Sequence, residues 1–187
     1  MSAISAPLLS ASYLSVGCQA KRHGYWKARI LTNRRRHVDI TLAKYVHWRN
    51  GVPLGAPSSL RNMLQRSLGA RSFAVFWQYW NPIWGYYLAK YIYSPLRIFL
   101  PSAAAIVATF VCSGALHDLV AMLILGKPVF ICTPWFLFLG IGVLLGEILD
   151  MDLSNHRWSV RATINILYVT ACFGLATFCK ILWESST

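Results

Sequence analysis

Residues 108 to 121 read ATFVCSGALHDLVA, and an ionisable pair, His117 and Asp118, sits inside a stretch otherwise apolar enough to cross a bilayer. A carboxylate at the bilayer centre costs about 2.5 to 3.5 kcal/mol on insertion scales, so Asp118 needs a cavity, a basic partner or a proton. Arg97 is the nearest upstream cation and therefore a candidate partner. Adjacent helical residues point about 100° apart, so His117 and Asp118 do not form one dyad, and Asp118 reads as a supporting residue at most. Ser113, Gly114 and Ala115 lie on the preceding turn. Their small size leaves room for another helix or a substrate chain beside the histidine.

The rest of the chain suits a membrane protein. Of 187 residues, 56% are hydrophobic and 14% aromatic, more than soluble domains of this size usually carry. The formal charge is +12, and 14 of the 18 Lys and Arg precede residue 100, where Asp39 is the only acid. A basic amino half thus precedes an apolar carboxyl half. About 20 apolar residues at about 1.5 Å rise cross a hydrocarbon core of about 30 Å. On that measure three spans are predicted, over about 101–126, 129–149 and 162–183. The GKP turn separates the first two, and the polar loop DMDLSNHRWSVR at 150–161 separates the last two. Glu147, Asp150 and Asp152 straddle the exit of the second span and read as its solvated end rather than as an acid-base or metal cluster.

Residues 1–72 read as a basic cytoplasmic or juxtamembrane region. The first 17, MSAISAPLLSASYLSVG, lack the basic n-region of a secretory signal and read as a flexible or surface-lying start. From Lys21 to Arg71 the chain is polar, with a loop predicted at NGVPLGAPSS. Runs such as NRRRH at 33–37 fit a bilayer with anionic headgroups, which each nearby cation favours by about 1 kcal/mol. No nucleic-acid partner is expected. Positive charge stays cytoplasmic, so the GKP turn is predicted outside and the 150–161 loop inside. His23, His37, His47 and His156 fall in polar basic stretches and read as surface residues. The five cysteines form no close pair, and most read as small hydrophobes. No phosphate loop, Ser-His-Asp signature or metal spacing occurs, so neither a metal nor a bound cofactor is predicted.

Between these halves lies FAVFWQYWNPIWGYYLAKYIYSPLRIFLP, residues 73–101. Trp and Tyr prefer the membrane interface because an apolar ring carries a polar tip. Pro82, Pro95 and Pro101 each remove a backbone donor. The segment 73–100 is therefore predicted as two short interfacial or re-entrant helices, broken near Asn81-Pro82 and near Ser94-Pro95. Broken backbone at membrane depth needs protein or a water-filled cavity over it, which suggests a site.

FWQYWNPIWGYYLAKYIYSPL followed by FVCSGALHDL resembles the membrane-bound O-acyltransferase (MBOAT) superfamily over about Phe73 to Val120. That family places an aromatic FW…WN or FW…WH segment before a span carrying its histidine. The resemblance implies an all-α integral membrane bundle that moves an acyl group from a thioester such as acyl-CoA to a hydroxyl. It also implies His117 as general base and Asn81 as the second polar residue, either polarising the carbonyl or orienting the histidine. Trp80, Ser113 and Asp118 would support them. The chemistry asks for such groups in any case: a neutral imidazole takes the hydroxyl proton, and an amide N–H steadies the growing oxyanion. The chain is shorter than the family's usual members, which implies a partner membrane subunit or self-association to cover His117 and Asp118. The alternative reading is a non-catalytic accessory subunit of a larger membrane complex.

Overall fold

In the computed structural model, which describes residues 40–186, every regular element among the described residues is a helix. The NRRRH run, His23, His37 and Cys18 lie outside the described residues. Two short helices occupy the region predicted only as polar and loop-rich, α1 (Leu42–Asn50) and α2 (Ser59–Leu68). Helix α1 is set by its caps rather than by an apolar stripe, whereas α2 has no side-chain cap and is amphipathic. Thr41 Oγ1 accepts the Lys44 N–H at 3.4 Å, and Gly51 ends α1 at φ 79°. Across the predicted loop, buried Asn50 donates to the Ser59 carbonyl and hydroxyl at 3.0 and 2.7 Å.

The aromatic segment folds as α3 (Phe73–Tyr79), α4 (Pro82–Leu88), a π-helical turn (Ala89–Tyr93) and α5 (Ser94–Phe99). The predicted break at Asn81-Pro82 is present. The one predicted at Ser94-Pro95 is not, because the backbone stays helical through Ser94. Proline lacks an N–H, and its ring crowds the carbonyl four residues back. A wide π turn just before Pro95 relieves that crowding. The Ser94 N–H reaches five residues back to the Ala89 carbonyl, which also accepts the Ser94 hydroxyl at 2.7 Å. The interruption falls instead at extended Leu100, ahead of Pro101.

Three apolar helices complete the chain: α6 (Ser102–Leu125), α7 (Cys132–Ile148) and α8 (Trp158–Ser186). Gly126, left-handed at φ 64°, caps α6 and opens the GKP turn. Helix α8 begins inside the stretch predicted as a polar loop, because tertiary contacts fix its start. Trp158 Nε1 donates to the Gln65 carbonyl at 3.0 Å, and buried Asn165 donates to the Leu68 and Ala70 carbonyls at 3.0 and 3.1 Å. Helix α6 and Trp158–Trp183 of α8 are each long and apolar enough to cross a membrane. Their apolar windows are only 17% and 11% buried, unlike the core helices of a soluble protein. Helix α7 has 17 residues and spans about 25 Å.

Helices α6 and α7 run antiparallel in backbone contact. A Cβ on Gly114 would lie 2.7 Å from the Cys132 carbonyl and 2.8 Å from the Thr133 Cα, so only glycine permits this approach. Beside it, Asp118 is 1% exposed and accepts four hydrogen bonds. They come from the N–H groups of Ile131, Cys132 and Thr133 at 3.2, 2.8 and 2.8 Å, and from the Thr133 hydroxyl at 2.6 Å. The first four N–H groups of any helix lack intrahelical partners. Here three bind Asp118, and the fourth position is Pro134, which has none. Arg97, the candidate partner, turns instead to the Leu100 carbonyl. Asp118 is therefore covered within the chain, and the need for an outside helix does not arise for it.

On the other face of α7, Phe73 and Phe76 pack with Leu139, Val143 and Cys172. Phe73 lies 4.4 Å from Tyr168, and Trp77 meets Phe110 edge-on at 5.3 Å. These contacts seat α3 against α6, α7 and α8.

Replacing Asp118 with Ala orphans three N–H groups and a hydroxyl, and Asp118→Asn turns an NH2 toward donors. Both are expected to cost about 2 to 4 kcal/mol. Thermal unfolding of the purified protein measures this, and wild-type midpoints in both variants would refute the assignment.

Candidate active site

A cavity of about 310 Å³ opens between α3, α4, α6 and α7, and both His117 and Asn81 line it. Its volume is at the lower end for small-molecule sites. Its walls are largely aromatic: Trp77, Trp80, Trp84, Phe110 and Phe136.

His117 is held from three sides. Its Nδ1 lies 2.7 Å from the Ser113 carbonyl. A carbonyl only accepts, so the proton of the neutral ring sits on Nδ1, and Nε2 keeps its lone pair. The Trp84 ring meets the imidazole edge-on at 5.9 Å, and Phe136 leans against it at 5.0 Å. Ser113 has a second role, since its hydroxyl accepts the Trp84 indole N–H at 2.9 Å. This buried serine thus fixes both the imidazole and the indole that flanks it.

Asn81 owes its place to backbone geometry. Its φ of 39° is left-handed, a conformation asparagine tolerates better than most residues. From there its Oδ1 caps α4 by accepting the Trp84 N–H at 3.3 Å, while Pro82 fills the first helical position. The NH2 group makes no hydrogen bond with the described residues. Asn81 is exposed at the cavity's edge, and no hydrogen bond joins it to His117, whose Nδ1 is held by the Ser113 carbonyl.

The remaining predicted residues separate. Trp80 lines the cavity and stacks on Phe76 at 5.5 Å, so it is wall. Asp118 does not line it; its carboxylate serves the start of α7. His117 itself is exposed rather than enclosed. Four contributors carried weaker signals. Trp84 and Ser113 are 29 residues apart, with no pattern linking them. Glu147, predicted as part of a solvated end, also lines the cavity, and its signal was a lone acid closing an apolar run. Trp77 adds an indole N–H, buried and without an acceptor. Among the described residues, no three His, Cys, Asp or Glu gather as a metal site.

Away from the apolar helices, Lys90 donates to the Tyr86 hydroxyl at 3.5 Å. That bond holds its ammonium above the ordinary lysine range, so it is a fixed cation at physiological pH.

Compared with known proteins, the chain matches no family, no curated protein and no solved structure.

The two functions of Asn81 separate by substitution. Asn81→Ala loses the cap and strains the left-handed turn, an expected cost of about 1 to 3 kcal/mol. Asn81→Asp keeps a capping oxygen and should unfold within about 1 kcal/mol of wild type. Denaturant titration followed by circular dichroism distinguishes the two, and equal losses would remove the capping role.

Proposed function

We infer that this chain is an integral membrane protein of three spans that transfers an acyl group from a thioester, with acyl-CoA the expected donor, to a hydroxyl acceptor. The observation that carries this reading is the shared cavity. An imidazole with a free Nε2 and a carboxamide with a free NH2 line one aromatic-walled space. This agrees with the resemblance to the MBOAT superfamily, in which those two residues form the polar pair.

Helix α7 serves as the third span although it is short. It starts level with Asp118, seven residues before the end of α6, so its first turn lies about 10 Å inside that end. Backbone at such depth is tolerated only when its donors are satisfied by protein, as the Asp118 bonds allow. The outer faces of α6 and α8 suit lipid: Leu123 and Ile124 are 77% and 76% exposed, and Trp183 is 72% exposed. The basic residues before the first span favour a cytoplasmic, anionic surface for the amino region.

In the reaction, His117 Nε2 takes the acceptor's hydroxyl proton as that oxygen attacks the thioester carbonyl carbon. Asn81 Nδ2–H donates to the carbonyl oxygen as it gains charge. The carbon–sulfur bond then breaks, and the imidazolium returns its proton to the leaving thiolate.

One observation favours the accessory reading as well. His117 is exposed, and the cavity is open along one side, so a partner subunit or a second copy is needed to close it.

Release of free thiol from an acyl thioester, with an alcohol acceptor present, tests the reading in purified protein. His117→Ala is expected to slow turnover by about 10²- to 10⁴-fold, and Asn81→Asp by about 10²- to 10³-fold. An unchanged rate in His117→Ala removes the base, and no turnover in any form favours the accessory role. Lys127→Cys, in a chain whose other cysteines are replaced by alanine, should react with an impermeant maleimide from outside intact cells. Labelling only after permeabilisation reverses the orientation.

A further inference from the structure

A second cavity lies apart from the His117 site, on the opposite side of the end of α3. Its volume is about 450 Å³, and Asn62, Gln65, Arg66, Tyr79, Trp158 and Arg161 are among its lining residues. Whereas Gln78 and Trp80 line the first cavity, Tyr79 between them lines this one. The cavity carries two guanidinium groups and no carboxylate. Arg66 is exposed and Arg161 partly buried, and two cations facing one space without an anion beside them favour an anionic ligand.

The details suit a phosphate ester. Arg161 Nε is buried and has no hydrogen-bond acceptor. A buried donor left unpaired is costly, and an oxyanion in the cavity would satisfy it. Arg66 is already positioned: one terminal nitrogen donates to the Arg49 carbonyl at 2.6 Å, and its guanidinium lies 5.4 Å from the Tyr79 ring centroid. The rest of its planar fork remains for a ligand. Trp158 forms a rigid wall, since its indole N–H is tied to the Gln65 carbonyl at 3.0 Å. Its ring fills the space beside Gly69, where a Cβ would lie 2.4 Å from it. Amide donors of Asn62 and Gln65 complete the polar lining.

We propose that the cavity between α2, the end of α3 and the first turn of α8 binds a phosphate monoester through Arg66 and Arg161. Its position beside the first turn of a membrane-length helix suits a lipid phosphate headgroup, and a soluble phosphorylated compound offers the same chemistry. The proposal does not depend on acyl transfer.

The test uses the full chain in maltoside detergent, titrated calorimetrically with dihexanoyl phosphatidic acid, dihexanoyl phosphatidylcholine and inorganic phosphate. Phosphatidic acid should bind and phosphatidylcholine should not. Arg66→Gln and Arg161→Gln should each weaken binding by about tenfold or more, while Arg61→Gln, outside the cavity, should leave it unchanged. Should either glutamine variant fail to fold, Arg161→Lys keeps the charge but loses the fork. It should bind more weakly at an unchanged unfolding midpoint. Competition by inorganic phosphate would mean that the phosphate group suffices, as for a soluble ligand. Binding of phosphatidic acid without such competition would assign the site to lipid. No binding of either phosphate compound, or affinity unaltered in the arginine variants, overturns the proposal.

Discussion

The beginning of α7 is the constraint from which the rest of the structure follows. A helix that starts in apolar surroundings must satisfy its first N–H groups with something other than water. Ile131, at the capping position, has no side chain that can do so. Asp118, a turn of chain away on α6, supplies both carboxylate oxygens instead. That bond set requires the two helices to touch, which Gly114 permits. It also turns Asp118 to the start of α7 and leaves the neighbouring His117 to the cavity, against Trp84 and Phe136. The 100° between adjacent helical residues thus divides the ionisable pair into one residue that holds the helix start and one that lines the cavity.

Some of this was legible in the sequence. The apolar runs marked α6 and most of α8 because length and composition suffice for such helices. Asn81-Pro82 marked a true break, since asparagine can both turn left-handed and cap, and proline tolerates only the first turn. Other features left no comparable mark. Asp118 raised the question of a partner, but its partners are backbone groups, which every residue carries, so Arg97 looked as good as any. Ser94-Pro95 has the composition of a break, and whether a π turn absorbs it depends on a carbonyl five residues away. The start of α8 reads as loop because its cause lies some 90 positions upstream, in the Gln65 carbonyl.

The site shows the same division. His117 and Asn81 stood out as polar groups in aromatic and apolar sequence, and both line one cavity. Ser113 was legible only as a small neighbour, whereas its hydroxyl and carbonyl hold Trp84 and His117 in place. Glu147 was grouped with Asp150 and Asp152 by position. It is exposed as that grouping expects and also lines the cavity, while Asp152 accepts the Ser154 N–H in a local loop at 2.9 Å.

The π turn at Ala89–Tyr93 has a consequence for how the cavity wall is carried. Leu88, Ala89 and Tyr93 all line it, so the wall continues through the turn. Because the wider turn takes up the crowding ahead of Pro95, the rod is not severed there, and the phenol of Tyr93 is borne by the same stiff element as Leu88 rather than by a loose connection.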